Sequence, residues 1–188
     1  MSISPVKRLI LETMWFLDKP AKATEIAKAA GLAFPSTMMH VLGLTKMKYA
    51  ETMEKGTYKI TETGKEALGL PQINKEKATE ILAYIPVDKS FHFYADIGKP
   101  LNIYAASLGD FCEKILKVDQ SSLEFHIRRG DFEAWFSSLG DIELARKTLL
   151  IREQKISRDE LRNRFHGTVK NRCNELTRIR NAQPAAPV

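Results

Sequence analysis

The sequence predicts a mainly α protein of the α+β class in two parts. Three helices closed by a hairpin and a short fourth helix come first, and a mostly helical domain with a small β-hairpin follows. Apolar residues recur at spacings of three and four through most of the chain, which is the helical period. That period gives way to short strand-like runs only at residues 49–53, 57–60 and 91–95. Gly69-Leu70-Pro71 is a breaker between the two parts. The expected division is 1–70, 71–181 and a flexible tail at 182–188.

The first helical pattern runs through Val6, Leu9, Ile10, Thr13, Met14, Phe16 and Leu17 and ends at Lys19-Pro20. A short second helix is expected to open at Thr24, a good N-cap, and to stop at Gly31, which tolerates the left-handed C-cap. Pro35 can start a third helix, reaching to about Met47, because its missing N–H falls among first-turn donors that have no partner anyway. Two strands around Glu54-Lys55-Gly56 then make a hairpin, and a helix over 61–68 closes the unit.

Thr24-Glu25-Ile26-Ala27-Lys28-Ala29-Ala30-Gly31-Leu32, followed by Ser36-Thr37 and a helix, resembles the helix-turn-helix of the winged-helix regulators. Tyr58-Lys59-Ile60-Thr61-Glu62-Thr63-Gly64 with Leu68 resembles the close of their wing. The resemblance covers about a third of the chain. Lys48 departs from it, since many members have glycine where the third helix ends. The resemblance implies a winged helix-turn-helix that contacts double-stranded DNA, and hence a DNA-binding transcription regulator. A helix end fits the major groove, where base edges display a readable pattern. With Val41 and Leu44 turned to the core, Ser36, Thr37, Met39, His40 and Gly43 are expected on the opposite face and Lys46 near a phosphate. Lys55 and Lys59 on the wing would reach backbone phosphates. The face lacks the Arg and Asn side chains that make the sharpest base contacts, so modest sequence selectivity is expected. The alternative is a winged helix that docks protein through the same face.

In the second part, Asn74 is expected to cap a helix carrying Ala78, Ile81, Leu82 and Ile85 and stopped by Pro86. Strands follow at 91–95 and 101–105. Ser107 and Ser157 stand at helix starts with acidic residues three positions on, and helical segments fall at 123–129, 132–138 and 142–153. The string Phe125-His126, Arg129-Gly130-Asp131-Phe132 and Trp135 resembles a domain of unknown function found in archaeal and bacterial proteins, over residues 88 to about 150. That likeness implies a fold unit and no activity. His92, Glu124, His126, Asp131 and Glu133 are the candidates for metal or proton chemistry, but none stands at a recognised ligand spacing. The reading preferred is structural: His126 points inward, Asp131 and Asp141 cap helices, and Phe132, Trp135 and Phe136 are core. No catalysis, cofactor or metal is assigned.

The charge of +6 is uneven. Residues 1–68 hold ten basic groups against seven acidic, residues 69–151 ten against twelve, and residues 152–188 nine against four, so both ends are basic and the middle is mildly acidic. That suits a polyanion at the ends. Cys112 and Cys173 show no metal-ligand spacing and are expected to be reduced, buried thiols. No apolar run approaches the ~18 residues that span a bilayer, and the N-terminus lacks the order of a signal peptide, so no membrane partner and a cytoplasmic location are expected. The last helix carries Leu161, Phe165, Val169, Cys173, Leu176 and Ile179 as a stripe, with arginines including Arg172 around it. The stripe must pack on its own domain, on a second subunit, or on both. A homodimer would let two winged helices span two half-sites.

Overall fold

Ser4 and Pro5 open the first helix of the computed structural model, which describes residues 3–154 and 156–182. The Ser4 hydroxyl accepts the Lys7 N–H at 3.4 Å, and the helix, α1, runs Pro5–Leu17. Its core face is Ile10, Leu11, Met14 and Trp15, while Val6 and Leu9 are exposed. The buried stripe is therefore turned by one position from the expected one, because Leu11 and Trp15 fill more of the core than Val6 and Leu9 would.

A two-residue strand, β1 (Ala21–Lys22), follows; so short a run carries no readable period. Thr24 is not the cap of α2 (Ala23–Ala30). It is exposed inside the helix, and the Glu25 carboxylate accepts the Lys22 N–H at 2.8 Å instead. Gly31, at φ 67°, ends α2. The third helix, α3 (Phe34–Lys46), starts one residue before Pro35. Lys48 adopts φ 61°, the left-handed conformation that usually falls to glycine.

The strands β2 (Ala50–Met53) and β3 (Thr57–Ile60) pair antiparallel around a single 3-10 turn at Glu54–Gly56, and β1 pairs with β3, giving the order β1-β3-β2. Thr61 caps α4 (Glu62–Ala67) by accepting the Gly64 N–H at 3.1 Å. Its own N–H donates to the Tyr49 carbonyl at 3.1 Å and its hydroxyl to the Lys48 carbonyl at 2.6 Å. Gly64 explains the glycine of that segment: a Cβ there would lie 2.1 Å from the Tyr49 carbonyl oxygen and 2.8 Å from Ile60 Cγ1. Ile10, Leu11, Ile26, Val41 and Leu44 are fully buried and form the centre of this unit.

The chain divides into two units, the first ending at Gln72 and the second beginning at Ile73. In the second, the Asn74 side chain accepts the Lys77 N–H at 2.8 Å and opens α5 (Lys75–Leu82), which buries Ala78 and Ile81. The strands β4 (Phe91–Asp96) and β5 (Lys99–Ala105) form a two-stranded antiparallel sheet with Ile97-Gly98 between them and a register shift at Tyr94. Four helices follow: α6 (Leu108–Lys114), α7 (Gln120–Arg129), α8 (Asp131–Ser138) and α9 (Ile142–Glu153). The chain then enters α10 (Arg158–Asn181). Ser107 and Ser157 cap α6 and α10.

Aromatic rings fill the centre of this unit. Phe111 lies 5.1 Å from both Phe132 and Trp135, and Phe132 stacks on Phe165 at 4.9 Å. Phe132 and Phe136 are fully buried, and the Trp135 indole N–H donates to the Lys89 carbonyl at 3.2 Å. The stripe on α10 packs within this unit, against α5, α6, α7 and α9, with Phe165, Val169 and Leu176 buried. Arg172 departs from expectation: it is not among the solvated arginines but is 1% exposed and bonded to Asp141, Glu143 and Glu175. Cys112 and Cys173 are free thiols, half-buried rather than buried, and they meet between α6 and α10. Among the described residues the protein is thus mainly helical with two small antiparallel sheets. Among the described residues no helix is long and apolar enough to cross a membrane. Residues 183–188 of the expected tail lie outside the described residues.

Candidate functional site

The helix α3 has one buried side and one free side. Thr37, Val41 and Leu44, spaced by four and three, are fully buried against the first unit's core. Thr37 therefore does not belong with the outward residues: its side chain is buried and its hydroxyl donates back to the Ala33 carbonyl at 3.1 Å. Its polarity suggested the outer face, but its spacing to Val41 and Leu44 carries it inward.

The other expected residues stand as follows. Met39 is 67% exposed, Lys46 is exposed, and Ser36, His40 and Gly43 are half-buried along the flank. Lys55 is exposed at the hairpin turn, where it takes φ 58°. Lys59 is half-buried on β3, directly across from Glu51 in the strand register. The α3 group and Lys55 lie on separate elements of the same unit, and β3 joins the two through Tyr58, whose hydroxyl approaches Met38 Sδ at 4.0 Å.

Three residues of this surface were missed in the sequence. Pro35 and Leu42 are exposed on the face that carries Met39 and Lys46: Pro35 stands four positions before Met39, and Leu42 three after Met39 and four before Lys46. Lys7 comes from α1. Its Nζ passes 3.5 Å from where a Gly43 Cβ would stand and 3.6 Å from Met47 Sδ, so the side chain lies over α3. The spacing of Leu42 could have revealed it, but no local signal brings Lys7 to Gly43.

The residues considered for catalysis are mostly engaged elsewhere. His92 is exposed and its Nε2 lies 2.8 Å from the Val87 carbonyl. Glu124 pairs with Arg158 at 3.0 Å. Glu133 lies 3.2 Å from Arg152 without hydrogen-bond geometry, and burial raises its carboxyl above the usual range despite that cation. His126 and Asp131 do meet. His126 Nε2 accepts the Tyr94 backbone N–H at 2.8 Å, which leaves the proton on Nδ1, and that N–H donates to Asp131 at 2.7 Å. Burial outweighs the Asp131 carboxylate and holds the imidazole below its ordinary pKa. Asp131 is not the N-cap of α8, a position Gly130 occupies; its carboxylate goes to His126 and Arg129 because a buried imidazole N–H needs an acceptor. Asp141 does cap α9, accepting the Leu144 N–H at 3.1 Å. Among the described residues no three His, Cys, Asp or Glu side chains converge to hold a metal ion.

No protein-family model, no curated protein and no solved structure matches this chain.

Proposed function

We propose that residues 4–68 are a winged helix-turn-helix that binds duplex DNA, with α3 in the major groove and the β2–β3 hairpin as the wing, and that the protein is a DNA-binding transcription regulator. The observation that carries this reading is the two-sidedness of α3. Thr37, Val41 and Leu44 hold it to the core, and the opposite side is exposed with Lys46 on it and Lys7 laid across Gly43. The element order, three helices with a turn between α2 and α3 and then a hairpin, is what a groove-binding helix flanked by a ribbon requires. Lys46 and Lys55 neutralise phosphates, and Ser36, Met39 and His40 face base edges or sugar. Two copies would place two such helices on two half-sites.

The test is binding of a random-sequence duplex pool to the full chain across a salt series. Affinity falls with salt by roughly the 0.9 power per neutralised phosphate, and Lys46→Ala and Lys55→Ala each flatten that slope by about one contact. Absent or salt-insensitive binding by folded protein overturns the reading.

A second reading draws on a specific observation: Phe34, Met39 and Leu42 on the same helix are 48%, 67% and 45% exposed. Met39 and Leu42 share the outward face while Phe34 stands at the helix start nearer the buried side, and so much exposed apolar surface on one helix also suits a protein partner. In that case Met39→Ala and Leu42→Ala abolish partner binding, Lys55→Ala does not, and the duplex pool is not retained.

A further inference from the structure

We propose that the second unit carries a binding site for a small aromatic carboxylate, in the hollow between the Ile97-Gly98 tip of the β4–β5 hairpin and α7. The hollow measures about 370 Å³, within the range of small-molecule pockets. Phe91, Tyr94 and Phe125 supply aromatic wall, and Ile97, 76% exposed, stands at the mouth with no packing to justify an isoleucine there. An apolar ring fits such walls.

The polar end fixes the rest of the ligand. His126 has both ring nitrogens occupied, Nε2 by the Tyr94 N–H and Nδ1 by Asp131. Asp131 also accepts from Arg129 Nε at 3.1 Å, so its charge is already compensated. Neither group is free to move a proton, and the site is one for binding rather than catalysis. Arg129 is different. Its Nε is committed to Asp131 and its guanidinium carbon lies 5.0 Å from the centre of the Phe125 ring. Its two terminal nitrogens make no hydrogen bond among the described residues, and the residue lines the hollow.

A planar fork of two free donors beside an aromatic wall is complementary to a planar carboxylate on a ring. Asp96 also lines the hollow, and Lys99 at 3.6 Å from its carboxylate offsets that negative charge. Asp131 takes the Nε edge of the guanidinium, leaving the terminal edge as the one available to a ligand. The inference concerns the second unit alone and stands apart from what α3 binds.

The test uses full-length protein, isotope-labelled for NMR, titrated separately with 2-naphthoate, its neutral amide and the cationic 2-naphthylmethylamine. The naphthoate saturates the protein with shifts centred on Tyr94, Ile97 and Phe125, and the amide binds at least about tenfold more weakly because it loses the charge-assisted pair. Arg129→Gln brings the naphthoate down to the affinity of the amide and leaves the amide unchanged. Ile97→Glu, at an exposed position where folding is not at stake, sets a carboxylate at the mouth and abolishes naphthoate binding; it carries the test if Arg129→Gln does not fold. Equal binding of the three probes, preference for the amine, shifts that map elsewhere, or no saturation by about 10 mM overturns the proposal.

Discussion

The Arg172 guanidinium grips the Asp141 carboxylate through three hydrogen bonds of 2.9 to 3.1 Å, with the two side chains 1% and 0% exposed. Burial alone would lower the pKa of the arginine, but Asp141, Glu143 and Glu175 together raise it above its ordinary range, so it is permanently charged. Arg172→Met removes the cation and leaves buried carboxylates without it, which costs about 3–5 kcal/mol. Chemical denaturation measures this. Asp141→Asn costs less, because the amide oxygen still caps α9 at the Leu144 N–H. Equal losses for the two variants would contradict this account.

Gly64 and Gly31 separate two reasons for a glycine. A methyl group on Gly64 collides with the Tyr49 carbonyl oxygen at 2.1 Å, so Gly64→Ala destabilises the first unit by about 3 kcal/mol through forced backbone displacement. A methyl group on Gly31 meets nothing within 4 Å, and Gly31→Ala costs only the left-handed conformation, about 1–2 kcal/mol. Thermal melts of the two variants should rank in that order.

Thr37 and Ser36, adjacent in sequence, differ in role. Thr37→Val removes a buried hydroxyl bond to Ala33 and lowers stability by about 1 kcal/mol, while duplex affinity per folded molecule stays the same. Ser36→Ala leaves the melting temperature unchanged and weakens duplex binding under the reading proposed for α3. A variant of Thr37 that lost duplex affinity without losing stability would place its hydroxyl at the groove.

Burial, against the opposing pull of Asp131, depresses the His126 pKa, and burial together with Lys170 depresses that of His166. The unfolded chain, with histidines near the ordinary value of about 6.5, then binds protons more readily than the native one. Stability is full above that pH and falls as pH drops from about 6.5 toward the lower native values. His166→Gln should retain part of this acid loss, and nitrogen-detected NMR should find the Nδ1–H tautomer of His126 still neutral at pH 6.5. A native His126 that titrates above 6.5 would reverse the sign.

What the sequence makes legible is set by the range of the interaction. Asn74, Ser107, Asp141 and Ser157 cap helices through an N–H three residues on, so composition and spacing suffice to find them. The hairpin over 50–60 is readable because glycine and the change of period fall together. Arg172 is unreadable for the opposite reason: its partner Asp141 is 31 residues away, and a buried arginine has the same helical spacing as a solvated one. Lys7 reaches α3 from 36 positions earlier in the chain, and the Tyr94 N–H meets His126, 32 residues on, where the β4–β5 pairing shifts register. Of the surface assigned to α3, Met39 and Lys46 follow from the positions of Val41 and Leu44, and the same geometry would have removed Thr37 and added Leu42.

Both strands of the β2–β3 hairpin are tied at one knot, where Thr61 bonds to the Lys48 and Tyr49 carbonyls and the Tyr49 N–H donates to the Leu44 carbonyl at 3.0 Å. A ribbon fastened this way has its base held to the last turn of α3 by main-chain carbonyls. The base of the hairpin and the end of the helix thus share one anchoring point.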